Sequence, residues 1–302
     1  MQRGIIYAIL AYGMWGLLPV YWKQLQTVPA LEILGHRMVW SLLFILAILL
    51  IRNHWQWLGR TLRSPRMAVA ITAAATLLGL NWYIYIWAVN SGNILDASLG
   101  YFINPLITVG LGVVILGERP RPWQWGSIGI ALVGVLFLTF KYGAFPWVSI
   151  TLAVTFGLYG LIKKTATLDS LEGVSLESAL MFLPALGYLG YLTWTGQGAF
   201  GSAGLKTNIL LASTGAITAI PLIFFAGAAR RIPMTTLGLL HFIVPTLQFL
   251  VGTFIYGESV GSSRLAGFIF VWVGLVIFSI DSLFNANGGK GGARPAASAE
   301  TH

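Results

Sequence analysis

Cysteine is missing from the 302-residue chain, and only 9 aspartates and glutamates stand against 18 lysines and arginines. Without thiols there is no disulfide framework, no thiolate nucleophile and no cysteine-bound metal cluster. Charge of either sign is scarce. Asp, Glu, Lys and Arg make up 9% of the residues, where ~25% is usual in soluble domains, too few to solvate the outside of a compact chain of this length. Hydrophobic residues account for 57% before any of the 36 glycines is counted, against ~45–50% with glycine included in soluble domains. Such a surface has to be covered by lipid. The formal net charge of +9 could suit nucleic acid, but the basic residues sit in short loops between apolar runs and form no continuous face, so nucleic-acid binding is not expected.

Ten charge-poor runs have the ~20 residues needed to cross ~30 Å of hydrocarbon as helices. They extend from Ile5 to Trp22, Leu31 to Ile51, Met67 to Val89, Ala97 to Leu116, Trp123 to Phe140, Trp147 to Ile162, Val174 to Thr195, Thr207 to Ala229, Thr235 to Tyr256 and Leu265 to Phe284. No small-x-small cleavage pattern follows the first run, which is read as a retained helix. The glycine-rich segment 288–302 lacks an apolar period and is expected to be a disordered cytoplasmic tail. Alternating the loops puts Arg3, Arg52, Arg60, Arg63, Arg66, Arg119, Arg121, Lys163, Lys164, Arg230, Arg231, Lys290 and Arg294 on one side. Only Lys23, Lys141, Lys206 and Arg264 fall on the other. The basic side is the cytoplasmic one, so a multi-pass protein of the inner (plasma) membrane with both termini inside is expected.

The segment from Leu99, LGYFINPLITVGLGVVILGERP, is repeated from Leu237 as LGLLHFIVPTLQFLVGTFIYGES. Pro105 and the Gly117-Glu118 pair match Pro245 and Gly257-Glu258 at an offset of 140, and Gly134 matches Gly274. Each copy has five spans, and an odd number inverts the second copy against the first. The expected fold is therefore an all-α membrane protein of ten transmembrane helices in two inverted five-helix repeats, residues 1–143 and 144–287. Secondary carriers use this arrangement and hold the solute near the midplane between the halves.

The stretch from Asn81-Trp82-Tyr83-Ile84-Tyr85 through Ala97-Ser98-Leu99-Gly100-Tyr101-Phe102-Ile103-Asn104-Pro105 to Leu116-Gly117-Glu118-Arg119 resembles the EamA branch of the drug/metabolite transporter superfamily, and within it the RarD, or chloramphenicol-sensitive, proteins. Thr218-Ala219-Ile220-Pro221, Ala228-Ala229-Arg230-Arg231 and Pro245-Thr246-Leu247-Gln248 extend the resemblance over nearly the whole chain. It implies a ten-helix inner-membrane carrier working by alternating access, in a superfamily that moves amino acids, nucleotide-sugars and other metabolites. It implies no particular solute and no catalytic residue.

Prolines inside spans mark moving parts, because each removes an amide donor and frees the carbonyl four residues earlier. Pro19 frees Trp15, Pro105 frees Tyr101, Pro184 frees Leu180, Pro221 frees Ile217 and Pro245 frees His241. Pro105 and Pro245, as repeat mates, are expected hinges. Helical spacing puts Tyr101, Asn104, Pro105 and Thr108 on one face, His241, Pro245 and Gln248 on the matching one, and Asn81 with Tyr85 on a third. Polar groups so placed point into the bundle, either as ligand contacts or as interhelical hydrogen bonds. Trp15, Asn81, Tyr85, Tyr101, Asn104, His241 and Gln248 are the substrate-contact candidates.

Arg37 and Glu177 are repeat mates inside the second and seventh spans, and with Pro105 and Pro245 they are the coupling or gating candidates. Inversion sets them near opposite faces, so each is expected to meet backbone, water or ligand on its own side of the cavity, or to snorkel. Glu32 reads as a solvated or capping carboxylate. Protonation of His241 or Glu177 would couple flux to the proton gradient. Glu118 and Glu258 read as helix-terminating and helix-starting residues. Gly126 with Gly134, and Gly267 with Gly274, read as packing stripes.

The expected function is secondary transport of a small organic solute, a metabolite, amino acid-like or amphipathic drug-like compound. An aromatic lining with few fixed charges favours a neutral, zwitterionic or aromatic species over a polyanion. An intramembrane enzyme would need His-Glu-x-x-His, paired aspartates or a serine/histidine set at membrane depth, and none is visible. A scaffold is the remaining alternative. No catalytic residue, metal site or cofactor is expected. The partners are the solute and the lipid bilayer, with the chain a monomer or weak homodimer.

Overall fold

The computed structural model describes residues 2–53, 55–90, 94–142, 145–257 and 262–288. Glu258 and the tail from residue 289 lie outside them. Among the described residues all regular structure is helical: α1 (Gln2–Trp22), α2 (Ala30–Arg52), α3 (Gln56–Leu62), α4 (Pro65–Asn90), α5 (Ile94–Val114), α6 (Pro122–Tyr142), α7 (Trp147–Thr165), α8 (Ser170–Trp194), α9 (Leu205–Ala229), α10 (Met234–His241), α11 (Ile243–Leu250) and α12 (Ser262–Gly288). A 3-10 turn, Lys23–Leu25, follows α1, and a π-helical turn, Val251–Ile255, follows α11.

Among the described residues seven runs are long and apolar enough to cross a membrane: those of α1, α2, α4, α6, α8, α9 and the composite Met234–Ile255. The chain is thus a multi-pass membrane protein. The apolar stretches Leu99–Val114 in α5 and Leu265–Asp281 in α12 are shorter, and α7 ends on Lys163 and Lys164. The short helix α3 was not foreseen, because its seven residues are too few to show a period.

Pro105 and Pro245 behave differently. Helix α5 runs straight through Pro105, whereas the helix carrying Pro245 is divided into α10 and α11 at Phe242. Leu99-Gly100 precedes Pro105 by six residues, and Leu237-Gly238 precedes Pro245 by eight. Two extra residues rotate a helix by about 200°. A break absorbs that rotation and lets both the glycine and the proline keep their neighbours. The glycine contact is close, since a Cβ on Gly238 would lie 2.6 Å from the Pro105 carbonyl oxygen.

Other glycines set similar approaches. A Cβ on Gly215 of α9 would be 2.3 Å from the Trp40 backbone of α2, and Ser41 Oγ donates to the Gly215 carbonyl at 3.2 Å. Between α6 and α12, a Cβ on Gly134 would meet Phe270 at 2.7 Å, one on Gly267 would meet Leu138 at 2.5 Å, and one on Gly274 would meet the Ser127 carbonyl at 2.9 Å. The small-residue stripes therefore serve packing within the chain, with Gly126 meeting no neighbour.

Helix α1 packs on α9 and α11, and α7 on α4 and α5. Helix α2 packs on α9 and α8 packs on α4, while α2 meets α8, α5 meets α10 and α6 meets α12. The main core gathers Tyr12, Tyr159, Leu222, Phe225 and Leu237. A second cluster joins α5, α6 and α12 through Phe102, Val135 and Phe268.

Candidate functional site

The C-terminal halves of α1 and α4, the N-terminal parts of α2, α5 and α7, the middle of α9, and the α10–α11 break surround a cavity of about 160 Å³. All seven expected substrate-contact residues line it: Trp15, Asn81, Tyr85, Tyr101, Asn104, His241 and Gln248. Arg37 is there too. Pro105 and Pro245 are not on the lining, although Pro19 is.

The polar groups are held in different ways. Asn81 Nδ2 donates to the Leu152 carbonyl at 2.8 Å and to Thr155 Oγ1 at 2.9 Å, so its amide ties α4 to α7 while its side chain forms part of the wall. Asn104 is buried and accepts from Thr108 Oγ1 one turn on, at 3.1 Å. The Tyr85 and Tyr101 rings meet edge to face at 6.4 Å. Arg37 Nε donates to Thr218 Oγ1 at 3.1 Å, and the guanidinium carbon lies 4.5 Å from the Trp82 ring centre and 5.2 Å from that of Trp22. Cation–π contact of this kind stabilises a desolvated cation.

Below the polar ring lies an aromatic floor. The His241 ring stacks on Tyr12, with centres 4.6 Å apart and planes at 15°. Phe156 meets His241 edge-on at 5.6 Å and Phe225 at 5.1 Å, and Trp15 packs on both phenylalanines. Tyr12 donates its hydroxyl to the Leu237 carbonyl at 3.1 Å, which fixes the ring under α10.

Beyond that floor, the end of the bundle carrying the α7–α8 and α9–α10 connections is closed by polar contacts. Lys163 Nζ lies 2.6 Å from Glu177 Oε1, and the Tyr159 hydroxyl donates to the other carboxylate oxygen at 3.1 Å. Lys164 donates to the carbonyls of Ile232 and Ala229 at 2.6 and 3.3 Å. Arg230 donates to Asp169 Oδ1 at 3.1 Å and also to the Leu168 carbonyl. Glu118 accepts from the backbone of Met234 and Thr235 and from Thr235 Oγ1 at 2.7 to 2.8 Å. It thus caps the first turn of α10, 116 residues away. Gly117, at φ +65°, supplies the left-handed turn that sends Glu118 there.

Two expectations need correction. Glu177 does not reach the cavity: Lys163, one helix away, neutralises it, because a buried carboxylate is tolerable only with a counter-charge and hydrogen bonds. Of the two readings of Glu32, solvated or capping, the solvated one fails. Glu32 is 1% exposed, and its Oε1 accepts from the backbone of Ala199 at 2.7 Å and Phe200 at 3.2 Å, tying α2 to the α8–α9 loop.

Sequence reasoning did not assign Thr218, Trp22 or Trp82 to the site. Thr218 had a signal, a hydroxyl at mid-span three residues before Pro221. Trp22 had none that separates it from interface residues, while Trp82 stands alongside the face that Asn81 and Tyr85 share.

The EamA-like transporter family model matches residues 2–140. "Protein RarD" of Streptomyces exfoliatus is 46% identical over 285 residues, covering 94% of this chain and 90% of its own. An "Uncharacterized transporter" of Vibrio cholerae is 42% identical, covering 93% of each chain. One solved crystal structure superposes with a TM-score of 0.68 over 93% of this chain and 97% of its own, at 15% identity, so the two share a fold.

Proposed function

Because the chain belongs to the RarD family of EamA-like transporters, we propose that it carries a small organic solute across the inner membrane by alternating access. The solute sits among Trp15, Asn81, Tyr85, Tyr101, Asn104, His241 and Gln248. The observation that carries this reading is the cavity: polar and aromatic side chains from helices on both sides of the repeat boundary converge on one space, while one end of the bundle is sealed by ion pairs and caps. A carrier caught with one gate shut has this form.

The architecture in this reading is ten transmembrane helices in two inverted five-helix repeats, 1–143 and 144–287. Its support is the packing pattern. Matching α1 with α7, α2 with α8, α4 with α9, α5 with α10–α11 and α6 with α12 and then exchanging the halves leaves the set of principal helix contacts unchanged. A two-fold relation has that consequence. The sealed end carries Lys163, Lys164 and Arg230, and the distribution of basic loops supports reading it as the cytoplasmic end. Both termini are then cytoplasmic, and the cavity belongs to the outward-open side.

Counterflow in proteoliposomes, screened over labelled amino acids, monocarboxylates and aromatic amines with and without a pH gradient, tests the proposal. For the solute that moves, Asn104→Ala and His241→Ala should each lower flux about fivefold or more, the effect of one lost polar contact. Unchanged flux in both variants, at wild-type insertion, removes this site. Acceleration by a pH gradient that His241→Gln abolishes ties proton movement to it. The chain contains no cysteine, so Thr218→Cys supplies a single labelling site whose accessibility should switch sides when solute is added.

A further inference from the structure

Arg37 stands apart among the charges of the membrane interior. One of its nitrogens is occupied by Thr218 Oγ1. Among the described residues no carboxylate lies within ion-pair distance of it, and its two terminal nitrogens have no hydrogen-bond acceptor. Arg37 belongs to the cavity lining.

The repeat sharpens the contrast. At the offset of 140, Arg37 corresponds to Glu177 and Lys23 to Lys163. In the second copy these two positions form a closed ion pair at 2.6 Å. In the first copy both are cations and they part: Lys23 Nζ sits 4.0 Å from the Tyr256 ring centre, and Arg37 turns to the cavity between α1, α4 and α9. A guanidinium half-buried between helices without a counter-ion carries a desolvation cost. The cost is offset when the counter-ion arrives with the ligand.

We propose that Arg37 is the carboxylate-recognition residue of the cavity, and that the ligand is a small monocarboxylate with a flat apolar body of about one ring. The free fork of the guanidinium matches a carboxylate in bidentate fashion. Trp15, Trp22, Trp82 and Phe156 form the aromatic wall. The size follows from the volume: an apolar cavity of about 150 Å³ holds a benzene ring, and this one is about 160 Å³. Among the described residues Arg37 is the one Lys or Arg on the lining, and no Asp or Glu joins it. A second carboxylate would lack a cationic side chain to pair with among the described residues, and an amine would meet like charge with no described carboxylate to neutralise it.

This assignment deepens the transport reading, which supplies what happens after binding. Calorimetric titration of purified, detergent-solubilised protein at pH 7 with 3-phenylpropanoate and with its amide tests it without requiring flux. The acid should bind wild type at least about tenfold more tightly than the amide, the effect of a hydrogen-bonded charge. Arg37→Gln should bring the acid down to the affinity of the amide and leave the amide unchanged. Arg37→Lys, which keeps the charge but not the fork, should fall between, and this conservative variant keeps the test intact where Arg37→Gln fails to fold. Equal affinities in wild type, a preference that survives in Arg37→Gln, or no binding of either compound overturns the assignment. Counterflow of a neutral solute through a cavity without acid preference sinks the carboxylate and leaves the carrier. Acid preference in a protein that supports no counterflow does the reverse.

Discussion

At the end of the bundle that joins α7 to α8 and α9 to α10, Lys163 faces Glu177, Lys164 and Arg230 reach carbonyls, and Glu118 is filled by three donors. At the cavity end, Arg37 has one hydroxyl and two indole rings. In the proposed two-repeat architecture both ends come from corresponding stretches of the chain, so on that reading the difference lies in a few substitutions and not in the helices. One set of residues satisfies itself and closes. The other leaves donors for something that is not part of the chain.

The sharpest way to break this comparison is to unbalance the closed end. Glu177→Leu strands Lys163 in a buried site and should cost about 3–5 kcal/mol, read as a large fall in the thermal unfolding midpoint in detergent. Adding Lys163→Met should recover most of it, since an apolar pair of similar volume replaces an ion pair with little loss. A single variant as stable as wild type would show that the pair does not hold this end. The next effect is smaller. Glu118→Ala removes the acceptors at the start of α10 and should cost about 1–2 kcal/mol, measured in the same melts. Smallest in stability is the proline pair. Helix α5 is already continuous at Pro105, so Pro105→Ala should change stability and flux little, whereas Pro245→Ala, at the α10–α11 break, should lower flux while shifting stability by less than about 1 kcal/mol. Equal flux effects would erase the asymmetry between the two helices.

The cavity was legible because polar residues in an apolar helix stand out, and a spacing of three or four fixes the face they share. Tyr101 with Asn104, and Asn81 with Tyr85, needed nothing more. His241 and Gln248 were found by the same rule even though the helix breaks between them, because the break preserves the register on each side. What could not be read was partnership. Glu177 looked like a lone intramembrane charge, and its neutralisation depends on where the fold sets the end of α7 against α8, which no local pattern encodes. Glu32 read as solvated or capping for the same reason, its partners being backbone donors of a loop beyond α8. The two prolines looked equivalent because each removes one donor. The eight-residue spacing before Pro245, against six before Pro105, is the signal that separates them.

The contact of Gly215 with the backbone of Trp40 leaves no layer of side chains on which α2 and α9 could slide. In the alternating access proposed above, the rearrangement that empties the cavity toward the other side would swing these two helices as a single plank, and the shear would be taken up at their outer neighbours.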